Sequence, residues 1–280
     1  MAAESMDERT AHGTRWADLT GPELQALGAR DALAILPVAA IEQHGPHLPL
    51  STDVDIGEGL LAAALSARQH TVTAQSQPVL TLPTLAIGSS LEHTGFAGTL
   101  SLPPEAAIAQ IEAIGAGVAR AGIRRLLLFN SHGGNKATLD IAALKLRAAH
   151  GLLVVKANYF RFPPSAAETL PTEELTHGLH GGALETSLML HLAPEKVRRD
   201  ALASFEPLGQ RRADAGATVL PEGEAAFAWL AQDLHPQGVA GDARLASAER
   251  GATLCAHYAA RLAQIIDETL DFDLNTLGEP

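Results

Sequence analysis

RRLLLFNSHGGN, residues 124–135, is a dense apolar run that stops abruptly at a polar, glycine-rich turn and passes into a helical stretch. A run of this kind, with no polar residue at alternate positions, predicts a strand buried on both faces, and the unit reads strand, loop, helix. Upstream, residues 32–41 form a largely continuous apolar run interrupted by Pro37 and ending in the polar loop 42–53, after which residues 55–67 have helix-like composition. Residues 105–121 carry Ala and Ile at helical spacing behind Pro103 and Pro104, a favourable helix start, and lead through Gly122 into the central run. Residues 152–157 supply the next strand. Strands alternating with helices predict an α/β fold around a mainly parallel sheet, with sites gathering beyond the carboxyl ends of the strands. A further strand over 79–87 contains Pro83, which predicts an edge or an irregular path.

The second half is less regular. Residues 160–180 form a loop-rich segment with Pro163, Pro164 and Pro171 that is able to fold over a site, and residues 183–191, 222–232 and 245–269 predict helices, the last two separated by the turn-rich 235–242. The opening residues, to Thr14, lack hydrophobic periodicity and predict a flexible tail. Residues 15–280 then form one domain, without internal repeats.

Composition narrows the function. At 280 residues, 46% hydrophobic and 19% charged, the chain has the profile of an ordinary globular protein. Its net charge of -12 argues against nucleic acid, whose binding rests on Lys and Arg displacing counterions. The lone Cys255 excludes an internal disulfide framework and a thiolate-only metal cluster, so any metal must take N and O ligands. The first fifteen residues resemble neither a secretory signal nor a membrane span, which predicts a cytoplasmic protein without a membrane partner.

The strongest chemical signal is Glu42-Gln43-His44-Gly45-Pro46-His47 followed by Asp53, directly after a predicted buried strand. Side chains two apart on a strand share a face, so Glu42 and His44 can address one cleft while Asp53 returns after the loop. The local alternative is a capping Glu42, surface histidines at 44 and 47, and Asp53 as a helix cap. His132 sits in a glycine-rich turn at the end of the central strand. Here the alternative is a plain turn using Gly133 and Gly134, and a phosphate cradle is weaker still because the P-loop pattern and its lysine are missing. His180-Gly-Gly-Ala-Leu-Glu185 places an imidazole and a carboxylate at a helix start, where Glu185 alone can be read as a dipole partner.

Taken together these segments resemble the creatininase (creatinine amidohydrolase) family. The resemblance runs through LPVAAIEQHGPHLPLSTD (36–53), EHTGFAGTLSL (92–102), NSHGGN (130–135), HGGALETSLML (180–190) and GVAGDARLASAERG (238–251), nearly the whole chain. It implies a three-layer α/β/α sandwich, two divalent metal ions and a homo-oligomer, commonly a hexamer. By that similarity Glu42 and His132 hold one ion, His44 and Glu185 the other, Asp53 bridges them, and His180 is the proton-transfer histidine. Ser90, Glu92 and His93 approach the substrate by motif similarity, as do Gly133 and Gly134, with a stabilising polar turn as the alternative for the first three. Trp229 and Phe227 read as core or interface residues, and Cys255 as packing.

The resemblance has departures. Creatininase itself carries a metal-binding Glu two residues beyond the histidine matching His132, where this chain has Gly134; Glu185 must then supply the second carboxylate. Ser131 replaces the more usual glycine, and Ala183 stands at a frequently polar position. These changes point away from creatinine itself. The resemblance implies a metal-dependent hydrolase of a small cyclic amide or formamide, using Zn first and Mn or Fe as alternatives. The rival readings are a peptidase of the mycofactocin-maturation type and a noncatalytic metal- or metabolite-binding protein.

Overall fold

A computed structural model describes residues 13–68, 76–165 and 169–278. Five strands make one sheet: β1 (Thr14–Arg15), β2 (Leu33–Val38), β3 (Val79–Thr81), β4 (Arg125–Asn130) and β5 (Leu153–Asn158). Their order is β1-β3-β2-β4-β5 and every pairing is parallel, with Leu33 opposite Arg125 and Val38 opposite Asn130 in the centre. The predicted tail over 1–14 lies outside the described residues as far as 12, but its last residue, Thr14, already pairs with Leu80. Of the two alternatives that Pro83 predicts, the structure shows the irregular path and not an edge at β3. Strand β3 is short, because the chain leaves strand geometry before Pro83, and the edge is the two-residue β1.

The helices cover both faces. Leu33, Ile35, Leu127 and Phe129 pack with residues of α2 (Thr52–Arg68), α6 (Ala183–Leu192) and α9 (Ala248–Asp271). Ala34, Leu36, Leu126 and Leu128 pack instead with α1 (Gly21–Gly28), α3 (Pro104–Arg120) and α4 (Lys136–His150). Burial on both sides explains why β2 and β4 show no polar alternation: all twelve of their positions are buried. This is the α/β fold with helix, sheet and helix layers that the sequence predicts. Pro37 is tolerated mid-strand because amide donors on its side, such as Leu33 and Ala39, point toward the 78–85 stretch, where the irregular chain requires no bond from residue 37.

Three elements differ from expectation. Helix α1 was not predicted, although its reciprocal Thr20–Glu23 capping box and Pro22 are legible start signals. The 160–180 segment contains a short helix, α5 (Thr172–His177). The predicted helix over 222–232 does not form: the chain after α7 (Leu208–Asp214) makes the small pair β7 (Val219–Leu220) and β8 (Ala225–Ala226), then one turn, α8 (Ala231–Leu234). Two further short strands, β6 (Ser204–Phe205) and β9 (Gly241–Asp242), pair antiparallel.

Helix α9 lies so close to α6 that a Cβ on Gly251 would stand 1.8 Å from the Ser187 carbonyl oxygen. The obstacle is backbone, so the helices must separate. Gly251→Ala is expected to cost about 1–3 kcal/mol, read as a lower denaturation midpoint at unchanged m-value.

Candidate metal centre

The site lies where fold logic places it, beyond the carboxyl ends of β2, β4 and β5, at the point where the chain crosses from one side of β2 to the other. The loop after β2 carries Glu42, His44 and His47, and the first turn of α2 brings in Asp53. The turn after β4 supplies His132, and the 180–185 segment His180 and Glu185. Glu42, His44, His47 and Asp53 are each no more than 2% exposed, which removes the reading of His44 and His47 as surface residues. Asn130 fixes the His132 turn: its side-chain oxygen accepts the His132 backbone N–H at 3.1 Å, and its amide donates to Asn158 on the next strand at 2.8 Å.

Each histidine has its tautomer set by a neighbour. His44 Nδ1 donates to the Glu42 carbonyl at 3.1 Å, which leaves the Nε2 lone pair toward Asp53. His132 Nε2 donates to the Ser89 carbonyl at 3.0 Å, which leaves Nδ1 toward Glu42 and Asp53. His180 Nε2 donates to the Gln43 carbonyl at 2.7 Å, with Nδ1 3.7 Å from Glu42 Oε1. His93 is different. The Gln43 amide, oriented because its oxygen accepts the Gly45 N–H, donates to His93 Nδ1 at 2.8 Å, so the proton of His93 sits on Nε2, 3.4 Å from Glu42. A protonated nitrogen is a donor and not a ligand, so in this tautomer His93 turns an N–H toward Glu42 Oε1 without closing a hydrogen bond to it.

The polar atoms converge at distances longer than ordinary hydrogen bonds. Asp53 offers one oxygen to each ligand histidine, Oδ1 3.4 Å from His44 Nε2 and Oδ2 3.3 Å from His132 Nδ1, and Glu42 Oε1 is 3.3 Å from His132 Nδ1. Both Glu42 oxygens, His44 Nε2 and Asp53 Oδ2 are buried without a hydrogen-bond partner. Stranding such groups is costly unless something else satisfies them. Two donors each about 2.1 Å from one tetrahedral ion stand about 3.4 Å apart, which is the spacing here, so this donor set fits a metal. The donor atoms of Glu42, His44 and Asp53 form one compact group, those of His44, His180 and Glu185 a second, and those of Glu42, His93 and His180 a third. Glu185 is held by the Gly181 N–H at 2.7 Å and approached by the Tyr159 hydroxyl at 3.4 Å.

Electrostatics follow the crowding. Burial pulls the His44 imidazolium down, but the attraction of Asp53, with Glu185 and Glu42 behind it, outweighs burial and raises the group to about 9. His132 is likewise driven well above its usual range, against burial, by Glu42 and Asp53. His180 goes the other way, lowered well below that range by burial and by the repulsion of His44 and His93. At neutral pH the metal-free site therefore holds protons on His44 and His132, which an ion must displace. Metal affinity is expected to fall as pH drops below about 9. Titration calorimetry in buffers of different ionisation enthalpy is expected to detect proton release on loading.

Glu42, Asp53, His93, His132, His180 and Glu185 line one wall of a cavity of about 540 Å³, with His44 behind them. Phe160, Leu175, Leu184 and Trp229 form apolar walls, with Lys136 and Arg161 among the polar ones. Trp229, expected in the core or an interface, faces this cavity because residues 222–232 run along its rim instead of coiling into a helix. Gly133 and Gly134 also line it, and a Cβ on Gly133 would meet nothing within 4 Å. Ser90, expected beside the substrate, is fully buried behind His132, its hydroxyl 3.2 Å from Nε2, and is not among the lining residues. Sequence reading missed Tyr159, although its place directly after β5 is a signal. It also missed Gln43 as the group that fixes His93, and Glu174, which binds the Ala183 and Asp242 amides at 2.7 Å each and ties α6 to β9.

Known proteins resemble this chain in sequence and in fold. A family profile described as "Creatininase: Creatinine amidohydrolase" matches residues 17–266. The chain is 34% identical to the "Creatinine amidohydrolase" of Pseudomonas putida over 206 residues, 68% of this chain and 76% of that protein. It is 35% identical to the "Mycofactocin precursor peptide peptidase" of Mycobacterium ulcerans (strain Agy99) over 171 residues, 61% of this chain. The chain spans 62% of the length of that curated relative. Among solved structures, a crystal structure of creatinine amidohydrolase (creatininase) superposes with a TM-score of 0.71 at 27% identity, covering 93% of this chain and 99% of the other.

Proposed function

The chain belongs to the creatininase family, and from that premise we propose that it is a binuclear metal-dependent amidohydrolase that cleaves a carbon–nitrogen bond with water. The observation that carries this reading is the set of buried, unpartnered polar atoms on Glu42, His44 and Asp53 at ligand-like spacing. Glu42 and His132 would hold one ion, His44 and Glu185 the other, with one Asp53 oxygen toward each. The mixed carboxylate and imidazole donors suit Zn, Mn or Fe better than Mg. Bound there, two divalent ions supply an acidified water and polarise the carbonyl it attacks.

The protein's own part is orientation and proton handling. Gln43 fixes His93 beside Glu42, the Ser89 and Glu42 carbonyls fix the ring faces of His132 and His44, and Gly181 fixes Glu185. His180 offers only Nδ1 to the cavity, so a proton collected there can pass to the departing nitrogen, which cannot leave as an amide anion.

Of the two substrate classes the sequence suggests, a cavity of about 540 Å³ favours a short peptide over a small cyclic amide or formamide. Similarity to a precursor-peptide peptidase supports the same choice. The test is turnover of a metal-loaded sample on short peptides, N-formyl compounds, cyclic amides and creatinine. Release of a peptide fragment that stops on chelation is the expected result. Exclusive turnover of a small amide would select the second class, and no turnover of any amide would overturn the hydrolase reading.

A further inference from the structure

Glu92 stands in the cavity wall beside His132 with its side chain 18% exposed. Its Oε1 is 3.6 Å from His132 Nε2, too far for a hydrogen bond, and that nitrogen already donates to the Ser89 carbonyl. Glu92 therefore does not serve as the orienting partner of the ring. Nor does it belong to any of the three compact donor groups at the metal centre. The volume it uses is set by Gly134: a Cβ at that position would fall 2.2 Å from Glu92 Oε1. A chain with any side chain at 134 could not hold Glu92 in this place, and this chain has only hydrogen there.

We propose, on the amidohydrolase reading above, that Glu92 is a catalytic carboxylate of this site: it accepts a hydrogen bond from the water that attacks the amide, in the space that Gly134 leaves open. A carboxylate facing the reaction space repels the oxygen anion that develops on the substrate carbonyl, so its partner there must be a donor. Glu92 flanks the centre on the His132 side, whereas His180 lies on the flank shared with His44 and His93, whose rings stand 4.1 and 4.2 Å from its own. The nucleophile and the leaving nitrogen thus each meet a separate side chain. Glu92 aligns the attacking water and transfers no atom, so no bond to Glu92 forms or breaks.

Glu92→Gln is expected to bind metal at the wild-type stoichiometry by elemental analysis while kcat falls about 100-fold, with KM changing far less. Glu92→Ala is expected to lose as much and to recover part of its turnover when formate is added, a rescue that a packing role would not permit. Wild-type kcat in Glu92→Gln would overturn the proposal, as would loss of metal in step with activity, or failure of formate to restore Glu92→Ala. The wild-type control separates the two claims. A wild type that hydrolyses no amide sinks the hydrolase reading, whereas an active wild type beside an equally active Glu92→Gln sinks the role of Glu92 alone.

Discussion

Asp53→Ala is expected to lose both metal ions and to reduce turnover at least about 1,000-fold, because one side chain serves both halves of the centre. Its two oxygens face different histidines, at 3.4 and 3.3 Å, so on the proposed binuclear reading its removal would take a donor from each half of the site at once. The same carboxylate is the leading charge that holds His44 up to about 9, against burial. Without it the pocket keeps Glu42 and Glu185 but has nothing to hold two cations close together. The fold is expected to survive, since Asp53 lies in the first turn of a seventeen-residue helix anchored by Ile56, Leu60 and Leu61. Elemental analysis beside circular dichroism checks both halves of this expectation.

His180→Ala is expected to give the opposite combination, with metal retained and kcat lowered by about 10²–10⁴, the usual contribution of a positioned acid or base. The result is informative because His180 lies close enough to His44 and Glu185, and to Glu42 and His93, to belong to a ligand group with either pair. If the variant binds only one ion per chain, His180 is a ligand and the proton must travel by another group. If it binds two and is slow, the proton-transfer role holds. Burial and the neighbouring His44 and His93 lower His180 well below its usual range, so it is neutral in the resting metal-free site and accepts a proton only when the reaction delivers one.

Much of this was legible in the chain because the signals were local. The run Leu126–Phe129 is apolar at every position since helices cover both faces of its strand, and the polar turn behind it had to emerge at the sheet's carboxyl edge. The donor atoms of His44 are set by the carbonyl of Glu42, two residues away. What was not legible depends on partners distant in sequence. Ser90 was read toward the substrate, but its hydroxyl turns to His132, forty-two residues on. The role of His93 rests on Gln43, fifty residues earlier. Residues 222–232 have the composition of a helix, yet β7 and β8 pair there and Trp229 turns to the cavity, a tertiary override of local propensity. No helix among the described residues is long and apolar enough to cross a membrane.

Anomalous diffraction from crystals grown with Zn tests the central claim most directly. Two peaks in the pocket are expected, one touching Glu42 and His132 and one touching His44 and Glu185, with Asp53 reaching both. A single ion held elsewhere, or none in a sample that still cleaves its substrate, would contradict the account.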